Sequence, residues 1–299
     1  MSKTALAPDA SPVTLRPIEP ADAEAVARIV FDAFAGIHDR HGFARDFPTP
    51  EVAAALVGAF IAHPSIHGVV AEADGRILGS NFLDERGPVN GVGPITVAPD
   101  AQVRGVGRRL MEAVIARGSR AVGIRLLQDA FNTASFSLYA SLGFEVKEPI
   151  VLLSGTPSGA APPGHEVRPL QEADVPACED LHRRVHGPER TAELRDGLGS
   201  PDMAPFVALR DGRVTAYATT LRFFASAHAV GETDADLQAL VVGASAARRE
   251  PVSFLLPSRQ SALLRWALAQ GLRVIKPMTY MAMGFYQEPR GAWIPSVLY

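Results

Sequence analysis

The segment Ile95–Met111 constrains the fold of this chain more than any other. Residues Val92–Val97 are β-branched and apolar enough for a buried strand, and Pro99 ends that strand. Gly105 and Gly107 allow a tight backbone path, after which apolar residues recur at helical spacing. The segment therefore predicts a strand, a glycine loop and a helix in succession.

The predicted helix should begin near Gly105, so that its first main-chain N–H groups open onto the loop. Such groups bind anions, because the helix dipole favours negative charge there and Arg104, Arg108 or Arg109 adds positive potential. The loop lacks the Gly-Lys-Ser/Thr ending of triphosphate-binding loops, and the third glycine of the dinucleotide pattern would fall on Leu110. We interpret the loop as a pyrophosphate site; the loop alone leaves a tight turn without ligand as the alternative.

A second motif lies downstream, after a predicted strand at Gly123–Leu127. It contains an apolar i,i+4 pair on a short helix, Leu138 and Leu142, and Gly143 is a natural terminator of that helix. The pattern reads Asn-x-x-Ser, then Leu-Tyr-x-x-Leu-Gly-Phe, at Asn132, Ser135, Leu138, Tyr139, Leu142, Gly143 and Phe144.

Both motifs, in this order, resemble those of the GNAT (GCN5-related N-acetyltransferase) superfamily. Gln102-x-x-Gly105-x-Gly107, entered from a Val-x-Pro strand end, resembles its acetyl-CoA loop, and the later pattern resembles its second signature. The resemblance implies an acyl-CoA-dependent N-acetyltransferase with acetyl-CoA as the acyl-donor substrate and no metal.

The resemblance also implies roles for particular residues. The main chain of Ile95–Val97 would hold the pantetheine arm and the acetyl carbonyl, and the loop would hold the pyrophosphate. Tyr139 would be the catalytic acid that protonates the CoA thiolate, although a core-edge aromatic is the alternative reading. The residues implied to bind acetyl-CoA are Ile95, Thr96, Val97, Gln102, Val103, Arg104, Gly105, Val106, Gly107, Arg108, Asn132, Ser135 and Tyr139.

The general base is left open. Carboxylates near the predicted hairpin and polar residues after the first helix are candidates, and a water chain is the alternative: Asp84, Glu85, Glu72, His38, Asp39 and His41. The pair His38-x-x-His41 has no Cys partner and a single nearby Asp, so we do not expect a zinc site.

The chain repeats itself after a Pro/Gly/Ser-rich segment at residues 154–165, which we interpret as a linker. Val167-Arg168-Pro169-Leu170 matches Leu15-Arg16-Pro17-Ile18, and the hairpin signal Asp211-Gly212 matches Asp74-Gly75. We therefore expect a flexible tail (1–12), an N-terminal GNAT domain (13–153) and a C-terminal degenerate GNAT-like domain (166–299). The predicted fold class is α/β (α+β): two tandem GNAT folds, each a mixed, mostly antiparallel central sheet flanked by helices.

The second copy is predicted to be non-catalytic. It is shorter by roughly the length of the glycine loop, and Ala267, Leu263 and Gln260 stand at the positions of Tyr139, Ser135 and Asn132. It would buttress the first domain, shape the acceptor pocket or form a homodimer. The aromatic segment 281–299 would pack on a domain surface or across a dimer interface, with plain core packing as the preferred reading.

Composition excludes several classes of function. A net charge of −3 leaves no basic footprint for nucleic acid, and no apolar run approaches the length of a membrane span. The single Cys178 lies in a helical pattern and is interpreted as a packing residue. We expect a cytoplasmic enzyme that acetylates a primary amine of a small molecule or peptide. The alternatives are a CoA-binding sensor or scaffold without turnover, and a protein lysine or N-terminal acetyltransferase.

Overall fold

The structure is a computed structural model, and it describes residues 12–102, 105–200, 203–225 and 227–298. The first copy of the repeat contains β1 (Thr14–Pro17), α1 (Ala23–His41), α2 (Pro50–Ala62), β2 (Ile66–Ala73), β3 (Arg76–Asp84), β4 (Val89–Val92), β5 (Thr96–Val97), α3 (Val106–Arg117), β6 (Gly123–Asp129), α4 (Thr133–Ser141) and β7 (Glu145–Gly155).

The second copy repeats this order with two differences: β11 alone stands where the first copy has β4 and β5, and β14 follows the last shared strand. It contains β8 (His165–Pro169), α5 (Val175–His186), α6 (Thr191–Leu198), β9 (Phe206–Arg210), β10 (Arg213–Ala218), β11 (Ala229–Gly231), α7 (Asp234–Arg248), β12 (Val252–Pro257), α8 (Ser261–Ala269), β13 (Arg273–Gly284) and β14 (Ala292–Ile294). No described helix combines the length and the apolar character needed to cross a bilayer.

The side-chain contacts at the start of each copy also repeat. In the first copy, both terminal nitrogens of Arg16 donate to the Asp22 carboxylate at 2.7 and 2.9 Å. In the second copy, Arg168 donates to Asp174 at 2.7 and 2.8 Å. The same ion pair thus links the first strand to the first helix in both copies.

Both predicted hairpins are present, and their turns share a backbone conformation. Asp74 and Gly75 have φ values of 52° and 71°, and Asp211 and Gly212 have 54° and 73°. Positive φ at both central residues gives the turn the twist that a two-residue hairpin requires. The Asp-Gly signal in the sequence is therefore a reliable marker of the repeat.

The predicted strand Val92–Val97 is divided in the structure. β4 ends at Val92, β5 begins at Thr96, and Ile95 lies in the non-strand segment between them. Gly93 has a φ of 138°, and Pro94 has no N–H to donate to a ladder, so the two residues together interrupt the strand.

The chain folds into two compact units that do not coincide with the two copies. Among the described residues, one unit comprises those up to Leu83 together with Pro94–Arg117. Its sheet has the order β1-β2-β3, and β5 also pairs with β3. The other unit comprises Asp84–Gly93 and the residues from Gly118 onwards.

The second unit contains two sheets, with strand orders β4-β6-β13-β7-β12 and β14-β11-β10-β9-β8. In the first of these, β13 of the second copy pairs antiparallel with β6 on one edge and with β7 on the other. β12 of the second copy then pairs with the far edge of β7. This interleaving explains why the compact unit crosses the segment interpreted as a linker.

The ends of that segment differ from the sequence-based boundaries. β7 continues to Gly155 and β8 already begins at His165, because strand pairing with the second copy extends the ladder to Ser154 and Gly155. Along the chain, the segment 154–165 lies between the two copies of the repeat. In the sheet, however, the last strand of the first copy, β7, pairs with β12 and β13 of the second copy.

The aromatic C-terminal segment packs within the second unit as far as it is described. β14 pairs with β11, and Trp293 and Leu298 are buried. Cys178 is also fully buried, and burial raises the pKa of its thiol to about 12. The thiol is therefore kept protonated, which agrees with a packing role.

Candidate functional site

In the first unit, the predicted pyrophosphate loop connects β5 to α3. Gln102 Nε2 donates to the carbonyl of Val97 at 3.3 Å, which ties the start of the loop to the strand end. Val103 and Arg104, both predicted to bind the cofactor, lie outside the described residues. Gly105 adopts a φ of 76°, a conformation that side chains disfavour, and its carbonyl accepts the first helical bond from Arg109 at 3.2 Å.

The first turn of α3 begins directly after Gly105. Val106 is the first residue of α3 and anchors it by full burial, while Gly107 is the second residue. The N–H groups of a first helical turn have no acceptor within the helix, so they are available to a ligand. The side chain of Arg108 is 46% exposed and lies 3.8 Å from Glu112, whereas Arg109 donates to the carbonyl of Val13.

The strand that leads into the loop is packed closely against β3. A Cβ atom added at Gly79 would lie 2.4 Å from the carbonyl oxygen of Thr96, so the backbones approach each other as only glycine permits. Thr96 is buried, and its hydroxyl lies 3.3 Å from that of Ser80. The main chain of Thr96–Val97 is thus fixed in position.

In the second unit, the predicted residues of α4 are brought together at the helix start. Asn132 is the N-cap, and its Oδ1 accepts a hydrogen bond from the Ser135 amide at 3.2 Å. The Ser135 hydroxyl donates to the Asn132 carbonyl at 3.0 Å. Gln128 Nε2 completes the arrangement by donating to the Asn132 carbonyl at 2.8 Å and to Ser135 Oγ at 3.2 Å.

Tyr139 is one turn further along α4 and is 7% exposed. Burial raises the pKa of its phenol well above the usual range, and the negative charge of Asp129 adds to this effect, while a hydrogen bond with Ser135 opposes it. The phenol is therefore neutral at physiological pH and carries a proton that it can donate. Its ring packs edge-on against Phe144 at a centroid distance of 6.4 Å.

Sequence reasoning missed an ion pair beside this tyrosine. Lys276 of β13 lies 2.6 Å from Asp129, and its side chain is fully buried. Lys276 belongs to the second copy and reaches Asp129 only because β13 pairs with β6, so no local pattern could have indicated it. Gln128, in contrast, is a polar residue near the end of an apolar strand, which is a signal that the sequence did contain.

Most candidate general bases are engaged in structural contacts. Asp84 is held by Arg86 at 2.5 Å, Glu72 by Arg16 at 2.8 Å, and Asp39 by Arg45 at 2.5 Å. The fully buried His38 donates from Nδ1 to the carbonyl of Phe34 at 2.8 Å, and its Nε2 lies 3.4 Å from Asp46. Each of these contacts lowers the availability of the group for taking a proton from a substrate.

The second copy has a different helix start at the corresponding place. Thr233, two residues after the end of β11, caps α7 by accepting from the Asp236 amide at 3.3 Å. The Asp236 carboxylate accepts in return from the Thr233 amide at 3.0 Å. At the position of Tyr139, Ala267 is buried in the core.

Comparisons with known proteins agree with this architecture. The family model described as "Acetyltransferase (GNAT) domain" matches residues 64–146, a segment that contains the loop, α3 and α4. No curated protein matches the chain.

Several solved structures have a similar fold. A putative acetyltransferase from Pyrococcus horikoshii is 14% identical, with a TM-score of 0.74, over 100% of this chain and 98% of that chain. A GCN5-related N-acetyltransferase from Sphaerobacter thermophilus is 17% identical (TM-score 0.60; 92% and 96% covered). A tandem GNAT protein from the clavulanic acid biosynthesis pathway is 13% identical (TM-score 0.58; 91% and 98% covered). At these identities the likeness is one of fold.

Proposed function

We propose that this chain is a GNAT acetyltransferase built from two tandem copies of the fold. The proposed reaction is the transfer of an acetyl group from acetyl-CoA to a primary amine. One observation carries the proposal: Gly105, at a φ of 76°, opens directly onto the first turn of α3 within the segment that matches the family model. This is the geometry in which main-chain N–H groups bind a pyrophosphate.

The proposed reaction is a direct attack. The neutral amine nitrogen bonds to the thioester carbonyl carbon, the C–S bond breaks, and the amine loses a proton while the sulfur gains one. Tyr139 is the donor to the departing sulfur. Its raised pKa makes it a weaker acid than a free phenol, but a thiolate in the same dry environment also holds protons more strongly, so desolvation acts on both groups.

The acceptor is a small molecule or a peptide, and the second copy is non-catalytic. The capping arrangement at Thr233 and the alanine at position 267 support this assignment, because the second copy has neither an open helix start nor a phenol at these places. A cytoplasmic location and a homodimer remain predictions.

Calorimetric titration of the full chain with acetyl-CoA tests the proposal. We expect one site per chain, followed by release of free CoA when an amine acceptor is added. Two sites would contradict the non-catalytic assignment of the second copy. Binding without CoA release across a broad panel of amines would favour a sensor or scaffold, and no binding would reject the proposal.

A further inference from the structure

The last strands of the two copies are exchanged in the second unit. Strands that follow one another along a chain are usually neighbours in a sheet, which would place β7 beside β6 and β13 beside β12. Instead, β13 pairs antiparallel with β6, and β7 pairs antiparallel with β12. Because β7 and β13 also pair with each other, the sheet order is β6-β13-β7-β12. Each copy therefore adds its last strand to the sheet of the other.

Main-chain contacts show that the exchange is close to symmetric. The Ala130 amide, just after β6, donates to the carbonyl of Pro277 in β13 at 3.2 Å. The Ser258 amide, just after β12, donates to the carbonyl of Pro149 in β7 at 2.9 Å. The two exchanged strands thus lie in equivalent positions relative to the copy that receives them.

The residue before that proline is ionisable and buried in both strands, but its partner differs. Lys276 of β13 has its Nζ 2.6 Å from the Asp129 carboxylate, and both side chains are shielded from solvent. Glu148 of β7 accepts from Tyr286 at 3.2 Å and from Arg259 at 2.6 Å, and the arginine side chain is 46% exposed. Only the pair in the first copy therefore has both of its charges inside the protein.

Asp129 is connected to Tyr139 by a short series of contacts. Its carbonyl accepts from the Asn132 amide at 2.8 Å, and the side chain of Asn132 holds the Ser135 amide at 3.2 Å. The Ser135 hydroxyl forms a hydrogen bond with the Tyr139 phenol. The carboxylate charge of Asp129 also raises the pKa of that phenol, so it acts on any charge that develops there.

The proposed reaction creates negative charge beside this carboxylate. When the C–S bond breaks, its electron pair goes to the sulfur; when Tyr139 gives its proton to the sulfur, the charge passes to the phenol oxygen. The proton that the amine nitrogen loses then restores the phenol through solvent. In both stages the negative charge is repelled by Asp129, and the repulsion is strong where water is excluded.

We propose that Lys276, which the second copy supplies, is a positioning residue of the acetyl-transfer site: it offsets the charge of Asp129 and so allows negative charge to develop beside Tyr139. The inference rests on the proposed function. Packing alone does not account for a buried lysine, since apolar residues in place of a buried ion pair are often equally stabilising. The exchanged strand is thus the means by which the second copy serves the chemistry of the first.

Two substitutions to the same residue test the proposal in the full chain. Lys276→Gln and Glu148→Gln each remove one buried charge at equivalent positions of the exchanged strands. Release of CoA from acetyl-CoA is followed with a thiol reagent, with butylamine, phenethylamine and spermidine as acceptor probes. Lys276→Gln should lower kcat by about tenfold to a hundredfold and change the KM for acetyl-CoA by less than about twofold. Glu148→Gln should leave both parameters unaltered.

A second substitution tests whether Lys276 acts through Asp129. Adding Asp129→Asn to Lys276→Gln removes both charges, so kcat should recover to within about fivefold of the natural value. A double variant as slow as Lys276→Gln would overturn the proposal, as would an equal loss of kcat in Glu148→Gln. Circular dichroism checks folding, and Lys276→Met, which keeps the length of the side chain, takes the place of a glutamine variant that does not fold.

The natural protein, measured with the same probes, separates this inference from the proposed function. If the natural protein and Lys276→Gln release CoA at the same rate, the inference alone fails. If the natural protein releases no CoA with any probe, the proposed function fails and the inference fails with it.

Discussion

The starts of α3 and α7 occupy corresponding places in two copies of one fold, yet they differ in what the helix offers to a ligand. Before α3, Gly105 turns the chain at positive φ and leaves the first-turn N–H groups facing the loop. Before α7, Thr233 and Asp236 exchange hydrogen bonds, and two acidic residues lie in the first turn. A helix dipole is common to both, so we expect the loop and the cap to decide which helix start binds an anion.

The starts of α4 and α8 differ in a related way. Asn132 caps α4 and belongs to the group that surrounds Ser135, whereas Gln260 at the corresponding position holds the main chain of Trp293. The second copy thus uses this position to fix β14, whereas the first copy uses it to hold Ser135, which is proposed to bind acetyl-CoA. We expect the two copies to respond differently to equivalent substitutions.

The largest expected effect is that of Gly107→Glu. The substitution places bulk and a negative charge in the first turn of α3, where the pyrophosphate is proposed to bind, so acetyl-CoA affinity should fall by about a hundredfold or more. Calorimetry measures the affinity, and circular dichroism checks that the variant is folded. The matched change in the second copy is Asp234→Ala at the start of α7, which should leave affinity and stoichiometry unaltered. Normal affinity in Gly107→Glu would reject the loop as the binding site.

Tyr139→Phe should reduce kcat by about a hundredfold and leave acetyl-CoA affinity nearly unchanged, since the ring stays and only the proton donor is lost. Steady-state kinetics at several acetyl-CoA concentrations separates the two parameters. In the natural protein the raised pKa of Tyr139 should keep kcat from falling on the alkaline side until well above pH 10. An unchanged kcat in the variant would reject the role of Tyr139 as proton donor. Tyr139 would then be a packing residue, as Ala267 is in the second copy.

The second copy should also make the protein sensitive to acid. Burial lowers the pKa values of His186 and His228 to about 3 and about 4. Both imidazoles are neutral in the folded protein, whereas in the unfolded chain they take up protons below pH 6.5. Their contribution to the free energy of unfolding is therefore complete above pH 6.5 and is lost as the pH falls towards 4. We expect the free energy of unfolding to fall by about 2 kcal/mol per histidine between pH 6.5 and 5. Denaturant titrations at the two pH values measure this change, and His186→Phe should reduce it by the share of one histidine.

The smallest expected effects are those of two cap substitutions. Thr233→Ala and Asn132→Ala should each lower the free energy of unfolding by about 1 kcal/mol, because each removes an N-cap acceptor. Only Asn132→Ala should also raise the KM for acetyl-CoA. If Thr233→Ala raised that KM equally, the functional distinction between the copies would not hold.

Much of the fold could be predicted from local patterns. The Asp-Gly hairpins, the helix after Gly105 and the termination of α4 before Gly143 each depend on residues close together in the chain, where φ preferences and periodicity act. The repeat was visible because Arg16 and Asp22 recur as Arg168 and Asp174. The break at Gly93 and Pro94 was also present as a local signal, although the apolar character of Val92–Val97 obscured it.

Other features could not be predicted, because they depend on pairing between distant strands. The insertion of β13 between β6 and β7 leaves no periodic signature, and the ion pair of Lys276 with Asp129 follows from it.

The insertion of β13 has a consequence for how the protein is made. A ribosome that has released β7 has still to synthesise more than a hundred residues before β13 emerges. Until then β6 and β7 lack the strand that finally lies between them, and each presents an open edge of the kind that promotes aggregation. Contacts of such long sequence separation also form slowly. The last strands of the first copy therefore find their final partners only when the second copy is complete.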